Sequence, residues 1–310
     1  MRLKIAIASC LALSLLLVVA NEGLSGPQKR AQDPAVRLRQ SGGLVISTGQ
    51  PSSVVFINNV RHGIADANGE LRLSRVIAGT FPVRVRSVGF VDWTGTVTIT
   101  QASERQLRIP PRRAADAATV HFQTAEQLRD KGKNRDAVKE YEQALELRAD
   151  FPEARIGATR SLISLQNFQE AEKQIQAALK SRGRVRAEAQ TVLANMRRSQ
   201  GLYDESIAEY RKAIRYANGV SAEAHIGLAI ALRDAGRLDQ SIREYRSGIA
   251  QDMDTEPILY YQLGEILENA ERFKEAIDTY RAYLRLDPDG EYASAVESII
   301  ARLKEESGVK

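Results

Sequence analysis

The chain has 310 residues, long for one hydrophobic core and suited to about two domains. Its composition, 43% hydrophobic and 27% charged, is that of a globular protein and excludes both wholesale disorder and a polytopic membrane protein. Three His and one Cys leave almost nothing from which to build a zinc site or a disulfide framework, and a net charge of +5 falls short of the basic blocks that mark nucleic-acid binders.

Arg2 and Lys4 precede an apolar run from Ile5 to Ala20. As a helix those 16 residues would span about 24 Å, short of the roughly 30 Å of a bilayer core. A charged start, a short apolar middle and a small-residue exit predict a signal peptide over residues 1–20, cleaved after Ala20. The alternative is an uncleaved membrane anchor over residues 5–20. Ile7-Ala8-Ser9-Cys10 resembles a bacterial lipobox, but a lipidated cysteine should close the apolar region, and here Leu11 to Ala20 continue it. Cys10 is therefore read as part of the apolar segment. Cleavage after Ala20 leaves no cysteine, which suits a periplasmic or secreted protein.

Residues 21–41 mix Gly, Pro, Gln and charge without periodicity and read as a flexible linker. From Gly42 to Pro110 the chain changes to short alternating runs. Val83 and Val85 interleave with Arg84 and Arg86, Val97 and Ile99 with Thr96, Thr98 and Thr100, and Leu107 and Ile109 with Arg108. Period-two alternation marks half-buried strands. Turn signals fall at Asn58-Asn59, Asp66-Ala67-Asn68-Gly69, Ala78-Gly79 and Val88-Gly89. Six or seven short strands over residues 42–110 predict a small antiparallel β-sandwich.

Gly63 to Leu73, followed by Ile77-Ala78-Gly79-Thr80-Phe81-Pro82-Val83 and Val88-Gly89-Phe90, resembles the carboxypeptidase regulatory-like domain, and the related PEGA domain is similar in size and in its Gly-then-aromatic strand entry. Ala65 stands where the first family usually has Thr, and Leu71 where it has an aromatic residue, so both families stay open. Either resemblance implies a non-catalytic accessory module of an exported bacterial protein.

Pro110-Pro111-Arg112-Arg113 closes the strand pattern and opens a linker over residues 111–117. Beyond it, five copies of a helical repeat register on a small residue: Ala137, Ala171, Ser206, Ser241 and Ala276, spaced by 34, 35, 35 and 35. Four residues later come Tyr141, Ile175, Tyr210, Tyr245 and Tyr280; seven later, Ala144, Ala178, Ala213, Gly248 and Tyr283. Twelve earlier stand Ala125, Thr159, Ala194, Ala229 and Gly264. Gly132, Gly201 and Gly236 occupy three inter-helix turns, with Gln166 and Glu271 in the other two. Small side chains let two antiparallel helices approach, and the Tyr positions fill the space between repeats. The pattern is similar to the tetratricopeptide repeat over residues 118–288. The overall expectation is a multi-domain protein, an all-β sandwich followed by an all-α superhelical solenoid, with a capping helix in residues 289–305.

Catalytic groups are thin. His62 falls in a predicted sandwich turn, while His121 and His225 share one register about three repeats apart, too far to share a metal. Asp66-Ala67-Asn68-Gly69-Glu70 lacks the length and spaced oxygen ligands of a calcium loop and reads as a hairpin turn. No glycine-rich phosphate loop, GxSxG elbow or HExxH segment occurs. No enzyme activity and no cofactor are expected.

The tetratricopeptide resemblance implies that the first helix of each pair lines a concave groove. By register this groove carries Phe122, Glu126, Arg129, Ile156, Arg160, Ile163, Thr191, Asn195, Arg198, Ile226, Ile230, Arg233, Tyr261, Glu265 and Glu268. Apolar positions mixed with a run of Arg suit an extended peptide with apolar anchors and acidic character. The family's carboxylate clamp would need Lys at the positions of Phe122, Ile156, Thr191, Ile226 and Tyr261, and only Asn195 fits its Asn, so a chaperone-tail receptor is disfavoured. On the sandwich, Phe90 and Trp93 are candidates for stacking on a sugar ring. The leading expectation is an exported scaffold that binds a protein or peptide partner in the groove, without nucleic acid. The alternatives are cell-wall or glycan binding through the sandwich, and an accessory subunit of a separate envelope enzyme.

Overall fold

The computed structural model describes residues 41–114 and 116–308. The expected signal segment, its cut after Ala20, Cys10 and the linker up to residue 40 lie outside the described residues. Seven strands come first: β1 (Ser41–Ser47), β2 (Val54–Ile57), β3 (Val60–Ile64), β4 (Glu70–Ile77), β5 (Gly79–Arg86), β6 (Trp93–Ile99) and β7 (Glu104–Arg108). They form two sheets, β4-β1-β7 and β3-β2-β5-β6. The alternation seen in the sequence is what fills the space between them. Leu44 and Ile46, Val55 and Ile57, Phe81, Val83 and Val85, and Val97 and Ile99 all turn inward and are buried. Each such side chain contributes about 1.5–3 kcal/mol by leaving water.

Two features depart from the sequence expectation. The sandwich is not wholly antiparallel: β1 and β7 run parallel, with Gly43 opposite Glu104 and Ser47 opposite Arg108. The turn at Asp66–Gly69 is not a hairpin, because β3 and β4 belong to different sheets. Asp66 instead accepts from the backbone N–H groups of Asn68 and Glu70, both at 2.9 Å, and turns the chain from one sheet to the other. Asn58-Asn59 is the two-residue hairpin turn expected, with both residues left-handed.

Eleven helices follow among the described residues: α1 (Ala117–Asp130), α2 (Asn134–Leu147), α3 (Pro152–Ser164), α4 (Phe168–Ala178), α5 (Gly183–Ser199), α6 (Tyr203–Tyr216), α7 (Ala222–Asp234), α8 (Leu238–Asp252), α9 (Ile258–Asn269), α10 (Phe273–Leu286) and α11 (Ala293–Ser307). The first ten pair as five helical hairpins and α11 caps the last, starting four residues after the expected segment begins and ending two residues beyond it. The registered small residues are fully buried where paired helices approach. Where the small residue is serine it also ties the pair together: Ser206 Oγ donates to the Ala194 carbonyl at 2.9 Å, and Ser241 Oγ to that of Ala229 at 2.7 Å. The Tyr of one repeat lies against a glycine of the next, Tyr141 on Gly157 and Tyr210 on Gly227. The second repeat, which has Ile175 at this position, has the shortest helix of the ten, α4. Arg197 stands where other copies have Leu and spans two neighbouring helices, 2.8 Å from Glu172 and 3.6 Å from Glu205.

The segment between sandwich and solenoid is bound rather than loose. Val91 N donates to Arg112 O at 2.7 Å and Ala114 N to Gly89 O at 2.9 Å, which lays the exit strand against the β5–β6 loop. Asp116 then caps α1 by accepting from Thr119 N at 3.0 Å. All described residues fall in one compact unit.

Candidate partner-binding groove

Successive first helices touch directly, α1 on α3, α3 on α5 and α5 on α7, while each second helix packs between first helices. The first helices therefore form the inner wall of the curve. The side chains picked by register are all on these helices, and their surroundings differ. Ile156 is 1% exposed and belongs to the core between α3, α4 and α5 rather than to a free surface. Ile226 packs over Gly248 of α8. Asn195 accepts from the Tyr210 hydroxyl. Tyr261 stacks on Tyr292 at 4.6 Å, closing the far end of the wall. His121 and His225 pair with Glu140 and Glu244, both at 2.7 Å, so their shared register is a repeated bridge between paired helices.

The groove arginines are matched by acids of the same chain. Arg129 donates to Glu126 at 3.0 Å, and Arg160 lies 2.8 Å from Glu188 and 3.4 Å from Glu223, crossing from α3 to α5 and α7. Arg233 and Arg198 lie 2.9 Å and 3.6 Å from Asp234. Burial opposes the charge on Arg160, but Glu223 and Glu188 outweigh it and raise its pKa. The positive stripe expected from the sequence is thus neutralised in place, with acidic Glu265 and Glu268 farther along α9.

Part of this wall is already covered. The outer face of β2 and β5, carrying Phe56, Arg84 and Arg86, lies against α1. Arg86 Nη1 donates to Glu126 at 2.6 Å and its Nε to Asp92 at 3.1 Å, with the guanidinium 5.1 Å from the Phe122 ring centroid. The two partners are nearly dry, 9% and 12% exposed. Burial would raise the pKa of Glu126, but Arg129, Arg86 and the Tyr141 hydroxyl overcome it and hold it at about 2. Gln123, on the same face of α1, accepts from Gly89 N at 3.0 Å and donates to Phe90 O at 2.6 Å and Asp92 Oδ1 at 3.0 Å.

The sandwich also reaches later repeats. Arg61 lies 3.6 Å from Asp130 of α1; Asn58 donates to the Asp252 carbonyl at 2.9 Å; Arg184 at the start of α5 donates to Asn59 at 3.0 Å; and Arg75 donates to the Arg285 carbonyl at 3.3 Å. Met253 packs against the sandwich core. Contacts thus run from the first repeat to the last.

The two aromatic residues considered for sugar stacking are both half-buried, Trp93 packed against the sandwich core and Phe90 held through its backbone. Trp93 pairs with the inward-facing Val85 and packs on the sandwich core, over Gly95. Phe90 bridges Arg113 and gives its carbonyl to Gln123. Sequence reasoning missed Phe56 and Gln123, and placed Glu126 in the groove without its docking partner. The available signal was two arginines alternating on one strand face, with Phe56 on the strand paired to it.

A β-sandwich joined to an αα-repeat solenoid, whose polar groups are spent on pairing helices and domains, belongs to the class of interaction proteins. Tetratricopeptide-repeat profiles match residues 128–196, 187–219 and 226–291, together just over half of the chain, and the PEGA-domain profile matches residues 41–113. The chain belongs to the tetratricopeptide-repeat proteins and carries an N-terminal PEGA domain, one of the two families its strands resemble. No curated protein matches it by sequence. Among solved structures it is similar to a thermophilic tetratricopeptide-repeat protein of Thermus thermophilus, with 20% identity over 60% of this chain and 98% of that one and a TM-score of 0.47. It is also similar to PilF of Pseudomonas aeruginosa, with 14% identity, 63% and 93% coverage and a TM-score of 0.48. The APC/C hetero-tetramer Cut9–Hcn1 aligns with 14% identity, 62% and 37% coverage and a TM-score of 0.50. The family assigns a protein-interaction scaffold.

Proposed function

We propose that the protein is an exported, non-catalytic scaffold that holds a protein partner along the inner wall of its solenoid. The observation that carries this reading is the face made by the first helices α1, α3, α5 and α7, each touching the next, with α9 following as the first helix of the fifth hairpin. An extended segment laid across such a face meets one set of side chains per repeat. Export is supported by the charged start and short apolar run before Ala20.

Binding is tested with a peptide array on the full chain, followed by titration of the hits against groove variants. Tyr261→Ala and Glu265→Lys weaken every true ligand at least tenfold, while Glu142→Lys on α2 leaves it unchanged. Ligands indifferent to both groove variants overturn the reading. Location is tested by the intact mass of protein from its own envelope fraction. A chain starting at Asn21 supports a free exported protein, and one retaining Met1 overturns cleavage.

A further inference from the structure

We propose that the groove selects a partner segment bearing arginine beside an aromatic or aliphatic side chain, and that its first-repeat end is held shut by the protein's own sandwich, which presents that same chemistry. The proposal rests on the groove reading above and adds to it the partner's charge and the state of the site.

The sandwich behaves as a bound ligand of α1. Arg86 enters a dry site where Glu126 takes its Nη1 at 2.6 Å and Phe122 lies under the guanidinium at 5.1 Å. Beside it Arg84 lies 4.3 Å over the ring of Phe56. Arginine offers a flat, weakly hydrated cation that stacks and hydrogen-bonds at once, which lysine does not reproduce. An acidic segment in the same place would set its carboxylates against Glu126, and the two solenoid cations near it are already committed, Arg129 to Glu126 and Arg160 to Glu188 and Glu223. Farther along, Glu265 continues the preference for cations beside Tyr261, while Glu268 is already paired with Arg302.

The closure is poised rather than permanent. Arg84 Nε is buried without a hydrogen-bond partner. Its charge is opposed by burial and by Arg86, and is supported only from a distance by Asp92, Glu126 and Glu188. A desolvated, incompletely paired guanidinium makes the docked state less favourable than the ion pair at Arg86 alone suggests. A segment that satisfies Glu126 equally well can therefore compete with the sandwich for α1.

The test uses the full chain. Donor and acceptor labels on cysteines placed at Thr96 and Asp278, with Cys10 replaced, read the separation of sandwich and solenoid. The probes are a peptide copying residues 82–88, which carries Arg84 and Arg86, and its counterpart with both arginines changed to Glu. Arg86→Ala is expected to lengthen the label distance and to raise affinity for the arginine peptide at least tenfold over wild type. The Glu peptide should bind neither form. Gln123→Ala, which removes three docking hydrogen bonds without changing charge, should act in the same direction and separates release from misfolding. Adding Glu126→Gln to Arg86→Ala should abolish the gain. An unchanged label distance in both single variants overturns the closure. Release without preference for the arginine peptide overturns the selectivity. Neither negative result touches the response of ligands to Tyr261→Ala, so failure here is distinguishable from failure of the groove reading.

Discussion

The five turns within the helical hairpins place one residue each in the left-handed region: Gly132, Gln166, Gly201, Gly236 and Glu271, with φ between 56° and 75°. Glycine adopts this conformation freely, whereas an L side chain there costs about 1–2 kcal/mol, part of which glycine's greater unfolded freedom offsets. Gln166→Gly and Glu271→Gly are therefore expected to stabilise the solenoid by about 0.5–1 kcal/mol each, read as an upward shift of the urea midpoint. The opposite result belongs to Gly227→Ala, because a methyl group there meets the buried ring of Tyr210. Overpacking of this kind costs about 1–3 kcal/mol. These positions were legible in the sequence, since a turn of fixed geometry recurs at fixed spacing and its exceptions stand out by register. Tyr283, where the other copies are small, became intelligible only in three dimensions. Its hydroxyl accepts from Tyr292 N at 3.2 Å, in the turn that leads into α11 instead of another repeat.

At the scale of elements, the pairing of α1 with the sheet face of β2 and β5 hangs on Glu126. Its carboxyl, ordinarily near 4.5, is held at about 2 against the cost of burial by Arg129, Arg86 and Tyr141. Because the folded state favours the ionised form, this contribution to folding stability is present in full above about pH 4.5 and is lost as pH falls toward 2. Stability to urea is expected to fall across that window in wild type, and to fall by less in Glu126→Gln. That substitution leaves two guanidinium groups facing a neutral amide, at a cost of about 3–5 kcal/mol measured by urea unfolding. Why the sequence concealed this contact is a matter of separation. Strands and helices announce themselves through periods of two and of 34 or 35, but Arg86 and Glu126 are joined by no period. The same blindness made Arg160 and Arg198 look free. The acids beside Arg160 lie on α5 and α7 and the one beside Arg198 on α7, so nothing local records them.

At the scale of the whole molecule, a solenoid alone is nearly one-dimensional, each repeat supporting only its neighbours. Here the sandwich adds links from α1 to α5, α8 and α10 through Asp130, Arg184, Asp252 and Arg285. Loosening it with Arg86→Ala is expected to lower the urea m-value as well as the midpoint, since the repeats then unfold less in concert. An unchanged m-value would mean that the array is cooperative without its sandwich. The parallel pairing of β1 with β7 bears on a different quantity, mechanical strength. The chain enters this pair at Ser41 and leaves it at Arg108, at opposite ends of two strands that run the same way. Tension between whatever holds residues before Ser41 and a load on the solenoid then pulls along the strands. The paired stretch from Gly43–Glu104 to Ser47–Arg108 is sheared as a set, instead of being peeled one bond at a time. If the N-terminal segment is fixed to an envelope, the domain that covers the groove is also the link best built to carry force.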